Sequence, residues 1–302
     1  MTTQQVRRFV VGVDASEEAE SALDWARRLA GPDDSIVAVR AWSMPYTAAG
    51  QFAIPVLPDD FAQAAGEGLG AVVEPLGDPR VERVVREGRP GPAVVEMAEG
   101  DDAAAPADVI VVGHRGDSRM ALMLGSTANY VAHHAQRPVV IVRGQVPPDG
   151  PPARRVVVGA DDHDLDDADA TNESVRALQW AYELPGVETI RVVNAWFLPP
   201  VAIGLYPSLG TDLEPMDAAS FEAIERVIAA AGEPPAGVTI ERAALRGTGG
   251  IALVEESRDA DLVVVGTRGR GGFAALVLGS VSSRVLAHAR CPVAVVPLPP
   301  PV

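Results

Sequence analysis

Residues 260–297 read ADLVVVGTRGRGGFAALVLGSVSSRVLAHARCPVAVVP, and residues 107–143 read ADVIVVGHRGDSRMALMLGSTANYVAHHAQRPVVIVR. The two stretches are copies of one unit: an apolar run, a glycine-rich loop, a Gly-Ser pair, a helical stretch and a second apolar run. A repeat of this length decides the architecture before any single element is assigned. Short continuous apolar runs suit strands of a parallel sheet covered on both faces. A glycine loop entering a helix can offer backbone N–H groups to an anion, with phosphate the obvious choice.

Working outward, each half opens with another short apolar run, 9–13 and 156–160, followed by a helical pattern. In the first half Ser16 is placed to cap that helix, with Glu17 and Glu18 in its first turn. Ala22, Leu23, Ala26, Leu29 and Ala30 recur at helical spacing, and the second half has Val175, Leu178 and Ala181. A second strand ends in Ala-Trp both times, at Ala41-Trp42 and Ala195-Trp196. Pro-rich segments come next, then a helix that is well patterned over 221–231 but weakened by Gly66, Gly68 and Gly70 in the first half. Strands in VERVVREG and IERAALRG lead back to the quoted repeats. Alternating strands and helices with short turns predict an α/β fold: two tandem open parallel-sheet modules, Rossmann-like, with helices on both faces. The expected boundaries are 1–143 for the first module, 144–153 for a linker and 154–302 for the second module.

Composition narrows the function. The chain has 302 residues, a formal net charge of −16 and 47% hydrophobic residues. The acidity disfavours non-specific binding to nucleic acid or to anionic membranes. All 25 basic residues are Arg, so catalytic Lys, Schiff-base Lys and the P-loop Lys are excluded. Cys291 is the single cysteine, which excludes an intrachain disulfide and a cysteine-based metal site; it reads as a small buried hydrophobe. No signal-peptide pattern and no apolar stretch of about 20 residues is present, so the chain reads as cytoplasmic and soluble. The four tryptophans at matching repeat positions read as core, and His133 and His134 as helix-end positions.

The glycine pattern in the second half is G-x-x-G, nine residues, G-S, at Gly266, Gly269, Gly279 and Ser280. Together with GVDAS at 12–16, the Ala-Trp strand ends, VERVVREGRP at 81–90, VVVGTRGRGGF at 263–273, GSVSS at 279–283 and CPVAVVP at 291–297, it resembles the universal stress protein family in its tandem form. The resemblance covers nearly the whole chain. It implies five parallel strands per module, ATP bound with a divalent metal such as Mg²⁺, and a role in stress-response regulation. By position it implies nucleoside contacts from Asp14 and Asp161, with Ala41 and Ala195 flanking the adenine. Ribose and phosphates would be held by Val265, Gly266, Gly269, Gly279, Ser280, Val281 and Ser282 in the second half. The first-half equivalents are Val112, Gly113, Gly116, Gly125, Ser126 and Thr127. The resemblance also implies that the terminal strands, which would otherwise be exposed sheet edges, pair modules within one chain or between two chains of a homodimer.

Both halves depart from the pattern. Only eight residues separate Gly116 from Gly125, one fewer than in the second half, and Asp117 adds a negative charge. The intact spacing therefore favours the second half as the nucleotide site. Eight extra residues lie between Asp161 and Trp180 relative to Asp14 and Trp25, and they form an acidic run, DDHDLDDADATNE. Asp162, Asp164, Asp166 and Glu173 match positions 1, 3, 5 and 12 of a calcium loop, but Asp167 stands where glycine is required. A solvated acidic loop is the expected reading. Placed beside the second site, that loop would make ATP affinity depend on Mg²⁺. Nothing in the sequence supports efficient turnover. The alternatives to an ATP-binding regulator are a nucleotide-free interaction module of the same fold and a slow ATP hydrolase or phosphotransferase.

Overall fold

The computed structural model describes residues 6–44, 58–100, 105–115, 124–144, 146, 149–163, 165, 172–199, 213–267 and 278–298. The chain divides into two compact units, Met1–Arg143 and Gly144–Val302. In the first unit the order is β1 (Arg8–Gly12), α1 (Glu17–Leu29), β2 (Ser35–Trp42), α2 (Pro58–Val73), β3 (Val81–Glu87), α3 (Pro90–Glu99), β4 (Val109–Gly113), α4 (Ser126–His134) and β5 (Val139–Val142). The second unit repeats it: β6 (Arg155–Gly159), α5 (Glu173–Tyr182), β7 (Thr189–Trp196), α6 (Glu214–Ala231), β8 (Thr239–Arg246), α7 (Gly249–Glu256), β9 (Leu262–Gly266), α8 (Ser280–His288) and β10 (Val293–Val296).

Each unit is a five-stranded parallel sheet. The strands run β3-β2-β1-β4-β5 in the first unit and β8-β7-β6-β9-β10 in the second. The chain steps outward from the first strand to one edge, then crosses back and builds toward the other. Because parallel crossovers are right-handed, this reversal puts α1 and α2 on one face and α3 and α4 on the other. It also creates a switch point, between β1 and β4 in one unit and between β6 and β9 in the other.

The cores are built from the apolar runs. Phe9, Val10 and Val11 of β1 and Val156, Val157 and Val158 of β6 are essentially inaccessible to solvent. Helix α1 buries Ala22, Leu23, Trp25, Ala26 and Leu29, and the Ser16 hydroxyl caps it by accepting from Ala19 N. Trp25 and Trp180 lie in the core, but Trp42 and Trp196 do not: both stand half-buried at strand ends. There the Trp42 ring lies parallel to Phe61, centroids 6.2 Å apart, while Trp196 Nε1 donates to Asp217. Cys291 is buried.

Helix α2 forms despite its three glycines. A Cβ at Gly68 would lie 2.4 Å from Arg40 NH1, and one at Gly70 would lie 3.0 Å from Arg83 NH1. The weakened helical propensity is thus the condition for seating two arginines of β2 and β3 beneath the helix. Among the described residues, no helix is long and apolar enough to cross a membrane.

The amino ends of the strands in the first unit are fastened by ion pairs. Arg80 donates to Ala30 O and Gly31 O at the end of α1, and its guanidinium and backbone N–H also bind Asp78. Those side-chain hydrogen bonds from Arg80 hold the Asp78 carboxyl below its ordinary value of 3.8, against the opposing effect of burial, with Arg27 adding to the lowering. A depressed folded-state pKa means that this stabilisation is complete above pH 3.8 and is lost as pH falls through the folded value. Asp78→Asn is therefore expected to cost about 1–3 kcal/mol at pH 7. Urea denaturation at pH 7 and at pH 2 should show a smaller gap between the two proteins at pH 2. A gap that does not change with pH would contradict the assignment.

Candidate functional site

Ligands of open α/β sheets sit outside the carboxyl ends of the strands at the switch point. Strand register brings the expected residues to that end. Gly12 is level with Val39 on one side and Val112 on the other, so Asp14, Ala41 and Gly113 all lie just beyond the last pairs that β1 makes. In the second unit Val158 is level with Val192 and Val264, which sets Asp161, Ala195 and Gly266 at the equivalent end. Val112 and Val265 are buried in the sheet, so only their backbone can face a ligand. Gly116 and Gly269 lie outside the described residues, as do Asp164, Asp166, Asp167 and Asp169.

Helices α4 and α8 start at this end in the same way. Gly125 N donates to His114 O at 2.9 Å, and Gly279 N donates to Thr267 O at 2.6 Å. Each glycine is the N-cap, and in neither case does a side chain cap the helix. The first-turn N–H groups at Ser126 and Thr127, and at Ser280, Val281 and Ser282, are therefore left for another acceptor. Ser126, Ser280 and Val281 are exposed, Thr127 is half-buried and Ser282 is buried. The Ser282 hydroxyl is already used inside the loop, donating to Thr267 O and Gly279 O. It can offer a ligand its N–H but not that proton.

The glycine that ends β4 or β9 has a packing role. A Cβ on Gly113 would lie 2.8 Å from the backbone C and O of Glu18 in α1. A Cβ on Gly266 would lie 2.6 Å from Glu173 Cβ in α5. These glycines let the helix after the first strand close over the switch point.

Around the aspartates the two units differ. Asp14 Oδ1 accepts from Ser16 N at 2.9 Å and from the Ser16 hydroxyl. Asp161 N donates to Ser174 Oγ at 2.8 Å, and Asp161 Oδ1 accepts from His163 N at 3.1 Å. Asn172 ties down the acidic run: its Nδ2 donates to Asp161 O and His163 O, while its Oδ1 accepts from Ser174 N and Val175 N to cap α5. Asp162 pairs with Arg226 of α6 at 2.9 Å, and Glu173 accepts from Thr267 Oγ1 at 2.8 Å. Two of the four calcium-loop positions thus have protein partners.

His114 and Arg40 were not singled out by the sequence reading, yet both belong to this end. Burial, with Arg143 and then Arg115 nearby, pushes the His114 imidazole down to about 4. His133 and His134, at the end of α4, instead donate from Nδ1 to Asn129 O and Tyr130 O on their own helix.

An uncapped helix start fits phosphate oxygens. No group of three or more His, Cys, Asp or Glu side chains is placed to hold a metal ion among the described residues. Among the described residues, a divalent cation fits as one carried on the phosphates, with water filling its shell.

The description "Universal stress protein family" attaches to a family model that matches residues 5–143 and, separately, 153–297. The chain is 30% identical over 307 residues to a universal stress protein of Mycolicibacterium smegmatis (strain ATCC 700084 / mc(2)155), covering 95% of this chain and 96% of that one. It is 28% identical over 300 residues to one of Mycobacterium tuberculosis (strain ATCC 25618 / H37Rv), covering 95% of each. In fold it is similar to the crystal structure of a universal stress protein from Archaeoglobus fulgidus DSM 4304, with a TM-score of 0.64, 19% identity and 98% of both chains covered.

Proposed function

The chain belongs to the universal stress protein family, and on that premise we propose that it is a regulatory protein that binds ATP with Mg²⁺ at the carboxyl ends of its strands. The observation that carries the reading is the paired, uncapped starts of α4 and α8, each tethered by its glycine N–H to the residue after the strand. Phosphates would take the free first-turn N–H groups, where the helix dipole favours negative charge. Asp14 and Asp161 would meet the nucleoside, beside Ala41 and Ala195. Gly125, Ser126 and Thr127, and Gly279, Ser280 and Val281, would line the phosphates, with Gly116 and Gly269 in the connecting loops. Bound Mg²⁺ would neutralise part of the phosphate charge in a chain of net charge −16. Regulation then follows from ligand state, since no catalytic group is assigned.

One observation favours a second reading for the second module alone. The Glu173 side chain lies over Gly266 and bonds Thr267, so a carboxylate stands where a phosphate would approach. That supports a nucleotide-free interaction module on this side.

Thermal unfolding with and without ligand tests the proposal. ATP with Mg²⁺ at 100 times Kd should stabilise the binding module by about 2.7 kcal/mol, seen as a higher melting temperature. Unchanged melting at millimolar ATP would leave the nucleotide-free module as the reading.

A further inference from the structure

We propose that the first module is completed by its ligand, with Arg40 and His114 as donors to an anionic, oxygen-rich group, whereas the second module is completed by its own side chains. This rests on the nucleotide reading above and assigns the residues that set the two modules apart.

Equivalent positions carry different side chains in the two modules. Asn194 stands two residues before the Trp that ends β7, and Thr267 follows the Gly that ends β9. Both are satisfied within the second module. Asn194 Nδ2 donates to Ala160 O at 2.8 Å, and its Oδ1 accepts from Ser220 Oγ at 2.6 Å. Thr267 Oγ1 donates to Glu173. These bonds lock the carboxyl ends of β6, β7 and β9 to α5 and α6.

In the first module the same positions hold Arg40 and His114, and the bonds are missing. Arg40 NH1 is buried with no hydrogen-bond partner, in space that only a glycine at position 68 leaves open. His114 is 4% exposed; its Nδ1 accepts from Arg115 Nε at 3.2 Å, so its proton is on Nε2, and Nε2 is buried without a partner. Buried donors are nearly always paired, so two orphans at one end of one sheet need an explanation. Both lie at the switch point: positions 40 and 113 are level with Val13 on either side of β1, about 10 Å apart at two strand spacings, and His114 follows one residue beyond. Asn194 reaches the backbone of the residue before Asp161, which puts position 40 beside Val13, the residue before Asp14, by equivalence.

The chemistry of the two donors defines what they take. A guanidinium is permanently charged and matches phosphate oxygens. A neutral imidazole N–H adds a hydrogen bond without adding charge. Arg40 breaks no protein hydrogen bond when it turns toward such a ligand, and His114 gives up one.

The test transplants the second module's solution into the full chain: Arg40→Asn with Gly68→Ser, and His114→Thr. With the orphan donors removed, the ligand-free protein should melt at least about 2 °C higher. Its affinity for Mg-ATP at the first module, measured by calorimetry in a Gly279→Val background, should fall tenfold or more. Arg40→Lys, which keeps the charge, should retain affinity within a few-fold. A lower melting temperature with unchanged affinity would overturn the inference, because the two side chains would then be structural. If the unmodified chain takes up no ATP, the nucleotide reading fails separately. Tripolyphosphate then decides the inference: stabilisation that the transplanted variant loses supports it, and none in either protein overturns it.

Discussion

Replacing Trp25 by Ala is expected to destabilise the first module by about 3–5 kcal/mol. The side chain is wholly buried on α1, and the helix it anchors carries the Ser16 cap and so the Asp14 turn. A loss of that size approaches the whole stability of an ordinary domain. Urea denaturation should show a lower midpoint with an unchanged slope. Trp25→Phe should cost much less, because the indole Nε1 that it removes has no hydrogen-bond partner. A cost below about 1 kcal/mol for the alanine variant would mean that the surrounding helices collapse into the space.

Gly113→Ala is expected to cost about 1–3 kcal/mol through overpacking, and to weaken ligand binding in the same step. The new methyl would meet the backbone of Glu18 at 2.8 Å, so the start of α1 must move away from the switch point. Gly266→Ala meets Glu173 Cβ at 2.6 Å, an atom fixed to the backbone of α5, and should cost about as much. Paired measurements of unfolding and of ATP affinity on both variants check this. A cost below about 1 kcal/mol at either site, or a destabilised Gly113→Ala protein that binds ATP normally, would show that the helix after the first strand does not position the site.

Much of this architecture was legible in the sequence because it rests on local signals. Apolar runs of four or five residues became the strands β1, β4, β6 and β9, and the capping serine and helical spacing of α1 were read directly. What could not be read depends on partners distant in the chain. The glycines of α2 weaken a helix by propensity, and only the fold reveals Arg40 and Arg83 beneath them. Asp162 looked like one carboxylate of a solvated run, but Arg226 lies 64 residues away in sequence and meets it. Trp42 and Trp196 occupy matching repeat positions that read as core, yet they end their strands at the half-buried rim.

The same limit applies to the candidate site. The glycine spacing pointed to the strand ends, and Gly125 and Gly279 do stand at the starts of α4 and α8. It did not separate glycines that face a ligand from Gly113 and Gly266, whose missing side chains admit a neighbouring helix. Nor did spacing reveal the orphan donors, since His114 fills a variable position of the glycine pattern and Arg40 carries no motif; the signal available was their mismatch with Thr267 and Asn194 in the repeat.

The central claim is that the uncapped helix starts at the carboxyl ends of the strands, that of α4 above all, receive phosphate. Isothermal titration calorimetry of the full chain with Mg-ATP tests it most directly, with a Gly125→Val, Gly279→Val double variant as the comparison. The account predicts saturable heat in the unmodified protein and its loss in a double variant that still unfolds cooperatively. Heat that survives both substitutions would place the ligand elsewhere, and no heat at millimolar Mg-ATP would contradict nucleotide binding altogether.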